Sequence, residues 1–194
     1  CMCYHLLEGL RGTVPRNDSL GDVEGVNMSP IPLAREFAAY AHRDQKRKYT
    51  GEPYFNHCVE VAYLVSTVTY NLDMIAAAYL HDVVEDTDIT IDIIRKIFGV
   101  NIAKLVWCLT DKSSIEDGNR ATRKQIDRDF LQSAPDDAKT IKCADLISNT
   151  KSIVERDPKF AKVYLAEKRL LIPCLVGADE RLWNAANELA GGAV

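Results

Sequence analysis

An adjoining histidine and aspartate, His81 and Asp82, end an apolar segment and are followed by two more carboxylates, Glu85 and Asp86. Imidazoles and carboxylates bind divalent metals, and carboxylates also transfer protons in hydrolytic reactions. Residues four positions apart lie on one face of a helix, so each member of the first pair would stack over one member of the second. The stretch therefore predicts two metal ligands beside two acid/base groups. A solvated helix end with capping carboxylates would show the same residue types.

Two other side chains extend the set to four possible ligands. His57 stands at the predicted start of a helix, where a histidine bonded within the core is the alternative interpretation. Asp145 lies in the middle of an apolar helical segment, and burial of an unpaired carboxylate there would be costly. Two imidazoles and two carboxylates suit manganese, iron or zinc. Because four protein ligands leave open positions only on a five- or six-coordinate ion, manganese is the predicted metal.

A basic stretch precedes His57 and contains Arg47 and Lys48. Most charge runs are solvated surfaces, but a guanidinium beside an ammonium group is also typical of sites that bind a chain of phosphates. Its closeness in sequence to His57 favours the second interpretation. A second basic group follows the charged loop at 111–119 and is a weaker candidate for the rim of the same pocket: Arg120, Arg123 and Lys124.

Helices must position these side chains, because apolar residues recur at helical spacing from residue 29 onward and no alternating strand pattern is present. Capping and turn residues predict helices over 30–48, 55–69, 72–85, 90–99, 100–110, 120–133, 136–154, 158–175 and 179–190. Residues 74–80 are apolar on every side, which predicts burial. We therefore predict an all-α protein, a compact multi-helix bundle with a central metal site.

The composition fits one soluble domain. The chain has 194 residues, of which 47% are hydrophobic and 27% charged, enough for a core that needs no disulfides. Six cysteines without Cys-x-x-Cys spacing are predicted to be reduced and mostly buried. No apolar run approaches the roughly 20 residues that a membrane span needs, and no secretion signal is present, which predicts a cytoplasmic protein with no membrane contact. The net charge of −4 argues against nucleic-acid binding. We predict that residues 1–28 form a flexible extension and that residues 29–194 form the domain.

Four motifs, in order, resemble those of the hydrolase domain of RelA/SpoT-type proteins, and the resemblance covers about residues 33–155. They are His42-x-x-Gln45-x-Arg47-Lys48, Gly51-Glu-Pro-Tyr-Phe-Asn-His57, Leu80-His-Asp-x-x-Glu-Asp-Thr87 and Lys142-x-Ala-Asp145-x-x-x-Asn149. The resemblance implies an HD-domain fold that, with manganese, removes pyrophosphate from the 3′ position of guanosine tetra- and pentaphosphate. The expected partner is thus a small nucleotide, the alarmone ppGpp or pppGpp.

Carried over position by position, the resemblance assigns a role to each candidate residue. The implied metal ligands are His57, His81, Asp82 and Asp145. The implied catalytic acidic pair is Glu85 and Asp86. The implied nucleotide contacts are Arg47, Lys48 and Asn149.

The chain departs from the family pattern after Asp145. The family usually has a basic residue next and, before the asparagine, an aromatic residue or histidine, whereas this chain has Leu146 and Ser148. A leucine cannot supply the missing charge, so recognition of guanine or of the 5′ phosphates is expected to differ. Two other functions stay open: an HD phosphohydrolase acting on another nucleotide, such as a nicotinamide dinucleotide phosphate or a deoxynucleotide, and a module that senses the alarmone without cleaving it.

Overall fold

The computed structural model describes residues 29–192, and this part of the chain is mostly helical. The helices are α1 Pro30–Ala41, α2 Phe55–Ser66, α3 Leu72–Leu80, α4 Val83–Asp86, α5 Ile91–Phe98, α6 Val100–Leu109, α7 Arg120–Gln132, α8 Asp136–Arg156, α9 Pro158–Leu171 and α10 Glu180–Leu189. Short 3₁₀ turns occupy Ile115–Asp117 and Ile172–Leu175. Residues 29–192 contain no β-strand, which confirms the all-α prediction. The predicted extension over 1–28 lies outside the described residues.

Helices α3 and α8 form the centre of the bundle. Helix α3 packs against α1, α2 and α6, and α8 packs against α2, α9 and α10. The side chain of Asn71 caps α3 by accepting from two backbone N–H groups of its first turn, and the helix is buried on nearly every side, as predicted. Helix α8 spans 21 residues and carries Asp145 into the interior. The polar side chains that these two helices turn inward, such as Asp145, therefore face other protein groups.

The predicted helix over 72–85 is interrupted at His81 and Asp82. The Nδ1 atom of His81 donates to the carbonyl oxygen of Ala78 at 2.8 Å. In a continuous helix the N–H of residue 82 would use this same carbonyl. Asp82 instead adopts φ −99° and ψ −5°, and one short turn, α4, follows. The histidine and aspartate therefore lie at a corner between two helices, and the prediction of one continuous helical face was wrong.

The predicted helix over 30–48 ends early, at Ala41, and residues 42–54 form a loop closed on itself, here called the hairpin loop. Two backbone hydrogen bonds cross it, from Arg47 N–H to the carbonyl of Glu52 at 2.8 Å and from Tyr54 N–H to that of Gln45 at 2.9 Å. Gly51 turns the chain with φ +73°, a left-handed conformation that costs glycine little. Bonds between residues across the loop, not helical periodicity, therefore set the end of α1.

Other predicted features agree more closely with the structure. Cys58, Cys108 and Cys143 are buried free thiols, and Cys174 is partly buried. Helix α9 ends at Leu171 and not at residue 175, because a proline in the following 3₁₀ turn cannot donate a helical hydrogen bond. None of the described helices combines the length and the apolar character needed to cross a membrane.

Candidate active site

Four side chains from three parts of the fold meet in the interior. His57 comes from the first turn of α2, His81 and Asp82 from the corner after α3, and Asp145 from the middle of α8. The Nε2 atom of His57 lies 3.5 Å from Asp82 Oδ2 and 3.2 Å from Asp145 Oδ1. The Nε2 atom of His81 lies 2.9 Å and 3.8 Å from the same two oxygens. All four predicted ligands thus form one cluster, here called the His-Asp cluster.

The donor atoms of His57, His81 and Asp82 all lie within 4.8 Å of one another, as ligands of one ion would, and Asp145 Oδ1 lies 3.2 Å from His57 Nε2. Ligands about 2.1 Å from a metal and at right angles to each other are roughly 3 Å apart, close to the distances found here. The Nε2 atoms of His57 and His81 are buried, and no acceptor within residues 29–192 is aligned with either for a hydrogen bond. Such orphaned atoms are costly unless another group binds them. The residues present therefore fit a divalent metal ion.

The second ring nitrogen of each histidine is held by a hydrogen bond. The bond from His81 to the Ala78 carbonyl requires a proton on Nδ1. His57 Nδ1 lies 2.9 Å from the hydroxyl oxygen of Ser148. When Nδ1 of a neutral imidazole carries the proton, Nε2 carries the lone pair that binds metals. The protein thus directs the Nε2 lone pair of His81 toward the carboxylates.

Charges around the cluster keep its carboxylates ionised. Burial opposes ionisation of Asp145, but Lys142, whose Nζ lies 2.8 Å from Asp145 Oδ2, and the two histidines hold the pKa of Asp145 well below its usual range. Burial likewise opposes ionisation of Asp82, but His81 and His57 together outweigh it, so this pKa is also lowered. Against the effect of burial, the carboxylates raise the pKa of His57 and His81. A proton and a metal ion therefore compete for the cluster.

The predicted acidic pair lies at the end of α4, one turn beyond the corner. Both residues reach solvent, yet surrounding protein atoms and the charge of Asp111 raise the pKa of Glu85 to about 7. The backbone N–H of Asp111 donates to Glu85 Oε2 at 3.2 Å. Burial and the charge of Asp82 also raise the pKa of Asp86. A carboxyl group that titrates near neutral pH is suited to general acid/base work.

Two of the three predicted nucleotide contacts adjoin the His-Asp cluster. Asn149 Nδ2 donates to Asp145 Oδ1 at 2.6 Å, and its Oδ1 accepts from Arg47 Nη2 at 3.2 Å. Arg47 also donates to the hydroxyl of Ser152 at 3.2 Å. The third, Lys48, is exposed, and its Nζ lies 5.1 Å from the centre of the Tyr49 ring. The structure therefore brings Arg47 and Asn149 to the cluster but leaves Lys48 at the surface.

A cavity of about 440 Å³ opens beside Glu85 and is lined by the second basic group, Arg120, Arg123 and Lys124. Arg120 pairs with Glu167 at 2.6 Å, and Lys124 pairs with Asp111 at 2.7 Å. Arg123 forms no ion pair within residues 29–192, and its Nε atom is buried without a hydrogen-bond partner. This guanidinium is therefore available to an anion in the cavity.

Comparisons with known proteins decide the family. A model of the HD domain family matches residues 34–170. The chain belongs to the HD domain family. Guanosine-3′,5′-bis(diphosphate) 3′-pyrophosphohydrolase MESH1 of Drosophila melanogaster is 36% identical over 139 residues, which are 68% of this chain and 76% of that protein. The Mus musculus protein of the same name is 37% identical over 173 residues, 85% of this chain and 95% of that protein.

A solved structure shares this HD domain fold. It is described as a metazoan ortholog of SpoT that hydrolyses ppGpp, and it superimposes with a TM-score of 0.75 at 26% sequence identity. The match covers 85% of this chain and 96% of that one. The predicted HD-domain bundle, and the resemblance on which it rested, are thereby confirmed.

Sequence reasoning missed two residues of this HD domain that support the cluster. The hydroxyl of Tyr54 donates to Asp82 Oδ2 at 2.6 Å, and burial with the charge of Asp82 raises the pKa of Tyr54, so it remains a donor. Glu60 accepts a hydrogen bond from Ser148, which in turn contacts His57. A signal for both residues existed in their spacing, since each lies three positions from His57, about one helical turn away.

The two positions that depart from the RelA/SpoT-type pattern lie in different places. Leu146 is 2% exposed and belongs to the apolar core, so its side chain does not line the site. Ser148 is also buried, but its hydroxyl contacts the His-Asp cluster. Of the two departures, Ser148 is therefore the one that changes the surroundings of the His-Asp cluster.

Proposed function

We propose that this HD domain is a metal-dependent guanosine-3′,5′-bis(diphosphate) 3′-pyrophosphohydrolase. Its substrate is a small nucleotide, ppGpp or pppGpp, and the reaction removes pyrophosphate from the 3′ position. The observation that carries the proposal is the convergence of two histidines and two aspartates beside an acidic pair. Relatives that carry the same fold are named for this reaction, which supports the assignment.

We infer that the ion is manganese and that four side chains hold it: His57, His81, Asp82 and Asp145. Mixed imidazole and carboxylate ligands suit this metal, and four protein ligands leave open positions on a six-coordinate ion. The orphaned imidazole nitrogens and the ionised carboxylates support these roles. A bound divalent ion supplies Lewis acidity, which lowers the pKa of water and polarises phosphate oxygens.

Glu85 is the proposed general base. Its pKa of about 7 lets the carboxylate accept a proton at neutral pH from the water that attacks the phosphorus bonded to the 3′ oxygen. The backbone N–H of Asp111 holds one carboxylate oxygen and leaves the other free. Asp86, next to it on α4, orients the same water.

Arg47 and Asn149 are the proposed contacts of the transferred pyrophosphate, with Lys48 at the rim. In the described part of the chain, the side chain of Arg47 is held by neutral oxygens only, and none of these hydrogen-bond partners compensates its positive charge. A guanidinium in this state stabilises the negative charge that develops on a phosphoryl group. The cavity beside Glu85 provides a second cation, Arg123, for the phosphates at the other end of the nucleotide. A substrate with phosphates at both ends matches this distribution of charge.

Substitution of Arg47 by alanine is expected to raise KM for ppGpp by about tenfold to a hundredfold, because hydrogen bonds to charged groups contribute roughly 1.5–3 kcal/mol. Manganese affinity should not change, since Arg47 touches none of the proposed ligands. The matched control is Arg43→Ala, which removes an exposed arginine of the same loop that pairs with Asp44 at 3.3 Å. Steady-state kinetics compare the two variants. Unchanged values of both kcat and KM in the Arg47 variant contradict the role given to this residue.

Product analysis tests the function itself. The protein is incubated with Mn²⁺ and ppGpp and, in parallel, with NADPH and with deoxynucleoside triphosphates. The expected products from ppGpp are GDP and pyrophosphate. Release of inorganic phosphate without pyrophosphate contradicts the proposed reaction. Faster turnover of another nucleotide favours the alternative phosphohydrolase, and tight ppGpp binding without turnover favours the sensor.

A further inference from the structure

The hydroxyl of Ser148 stands at a junction between α2, α8 and the hairpin loop. Its oxygen lies 2.9 Å from His57 Nδ1, 2.6 Å from Glu60 Oε2 and 3.4 Å from Arg47 Nη1. The serine is 2% exposed, so protein groups and not water determine its hydrogen bonding. This is also one of the two positions at which the chain departs from the RelA/SpoT-type pattern.

The direction of each of these hydrogen bonds follows from counting protons. A serine hydroxyl has one proton to donate and two lone pairs to accept with. An ionised carboxylate only accepts, so the Ser148 proton goes to Glu60. A guanidinium only donates, so Arg47 uses one of the serine lone pairs. The bond to His57 must then run from Nδ1–H to the hydroxyl oxygen.

We propose that Glu60 and Ser148 are positioning residues that hold His57 in the form and orientation required for metal binding. With the proton held on Nδ1, the lone pair lies on Nε2, which is 3.2 Å from Asp145 Oδ1 and 3.5 Å from Asp82 Oδ2. The proposal rests on the proposed function through the role of His57 as a ligand. It assigns an indirect role to Glu60, which contacts the cluster only through Ser148 in the hydrogen bonds of the described residues.

Loss of the Glu60 carboxylate changes what the serine can do. Without its acceptor, the hydroxyl proton turns toward His57 Nδ1 and stabilises the other tautomer, in which Nε2 carries the proton and cannot bind a metal. Loss of the serine hydroxyl removes the acceptor for Nδ1–H and leaves the ring free to rotate. Removing the outer partner of a metal ligand typically weakens metal binding by about 10- to 100-fold. We expect losses in this range for Glu60→Ala and for Ser148→Ala.

A double-mutant cycle on metal affinity tests whether Glu60 acts on His57 through Ser148, an arrangement here called the relay. The dissociation constant for Mn²⁺ is measured by calorimetry, without nucleotide, on the full chain stripped of metal with a chelator. Because Glu60 acts only through Ser148, the double variant should bind Mn²⁺ no more weakly than Ser148→Ala alone. Glu60→Gln, whose side-chain oxygen can still accept from the serine, should retain most of the affinity.

A buried hydroxyl on the same helix provides the matched control. Thr150 donates to the Leu146 carbonyl at 2.6 Å and contacts the Tyr164 hydroxyl at 3.2 Å, on the side of α8 that faces α9. Thr150→Val should leave the Mn²⁺ affinity within twofold of wild type while changing stability, and thermal unfolding in chelator reports that change for every variant. Where an alanine variant does not fold, Glu60→Leu, which keeps the size of the side chain but removes the acceptor, or Ser148→Cys replaces it in the cycle.

Two results overturn the relay. One is unchanged Mn²⁺ affinity in Glu60→Ala and Ser148→Ala, and the other is additive losses in the double variant, which indicate independent effects. These outcomes differ from a failure of the proposed function. Full Mn²⁺ binding by His57→Ala removes the ligand assignment on which the relay rests, whereas turnover of a nucleotide other than ppGpp removes only the substrate and leaves the result of the cycle unchanged.

Discussion

Substitution of His81 by alanine is expected to weaken Mn²⁺ binding by more than about 100-fold and to reduce hydrolysis to background. Outer-shell changes already cost roughly 10- to 100-fold in affinity, and His81 is a proposed ligand itself. Its Nε2 atom lies 2.9 Å from Asp82 Oδ2, and its Nδ1 bond to Ala78 shapes the corner on which Asp82 is presented. The variant therefore loses one ligand and the geometry that orients a second.

Metal content after dialysis, together with activity at saturating Mn²⁺, measures this effect. The matched control is His42→Ala, since His42 is equally buried and hydrogen-bonds Gln45 Oε1 at 2.7 Å but lies outside the His-Asp cluster. The control is expected to lose stability and to keep its metal stoichiometry. Full activity of the His81 variant, or equal metal loss in both variants, would show that the ligand assignment is wrong.

Substitution of Glu85 by glutamine is expected to reduce turnover without weakening metal binding. General acid/base groups contribute about 10²- to 10⁴-fold, so kcat should fall within this range while Mn²⁺ affinity changes little. The base must be ionised, and the pKa of Glu85 is about 7, so the wild-type rate should rise as the pH increases through 7. The variant should lack this rise. The exposed Glu116, on the 3₁₀ turn after the loop that contacts Glu85, provides the control Glu116→Gln.

Glu85 is expected to affect stability and rate in opposite directions: as the pH rises, the rate increases and the contribution of Glu85 to stability decreases. The pKa of Glu85 is higher in the folded protein, about 7, than its ordinary value of 4.5. The folded state therefore binds this proton more tightly, and the contribution of Glu85 to stability falls as the pH rises from about 4.5 to 7. Thermal unfolding in chelator at pH 8 should show Glu85→Gln to be at least as stable as the wild type. A variant that unfolds at lower temperature and keeps its turnover argues for a structural role of Glu85.

Much of the candidate site could be predicted from sequence because its chemistry depends on residue type. The four ligand candidates and the acidic pair followed from motifs in which few other side chains could serve, and helical periodicity located the elements that carry them. The corner after α3 could not be predicted in this way. It depends on a side-chain bond from His81 to the Ala78 carbonyl, which competes with the helical pattern that the apolar residues indicate.

Contacts between distant parts of the chain were the second feature that could not be predicted from the sequence. The bond between Ser148 and Glu60 joins residues 88 positions apart, and although Glu60 lies one helical turn from His57, neither local sequence indicates that these two residues pair. Leu146 is the opposite case. Its departure from the RelA/SpoT-type pattern led us to expect a change in recognition, but its side chain does not line the site. The residue follows Asp145 directly, so on a helix it points about 100° away from the ligand and packs into the core.

The hairpin loop has a thermodynamic consequence for recognition. Its backbone is closed by the bonds from Arg47 to Glu52 and from Tyr54 to Gln45, and the Gln45 side chain donates to the Asp86 carbonyl at 2.7 Å. The guanidinium of Arg47 also donates to Ser148, Asn149 and Ser152, so the arginine is preorganised when the protein folds. Ordering a long side chain on binding otherwise costs about 0.5–1.5 kcal/mol, and here most of that entropy is already lost in the free enzyme. Nucleotide binding should accordingly resemble docking to a rigid surface more than closure of a mobile loop.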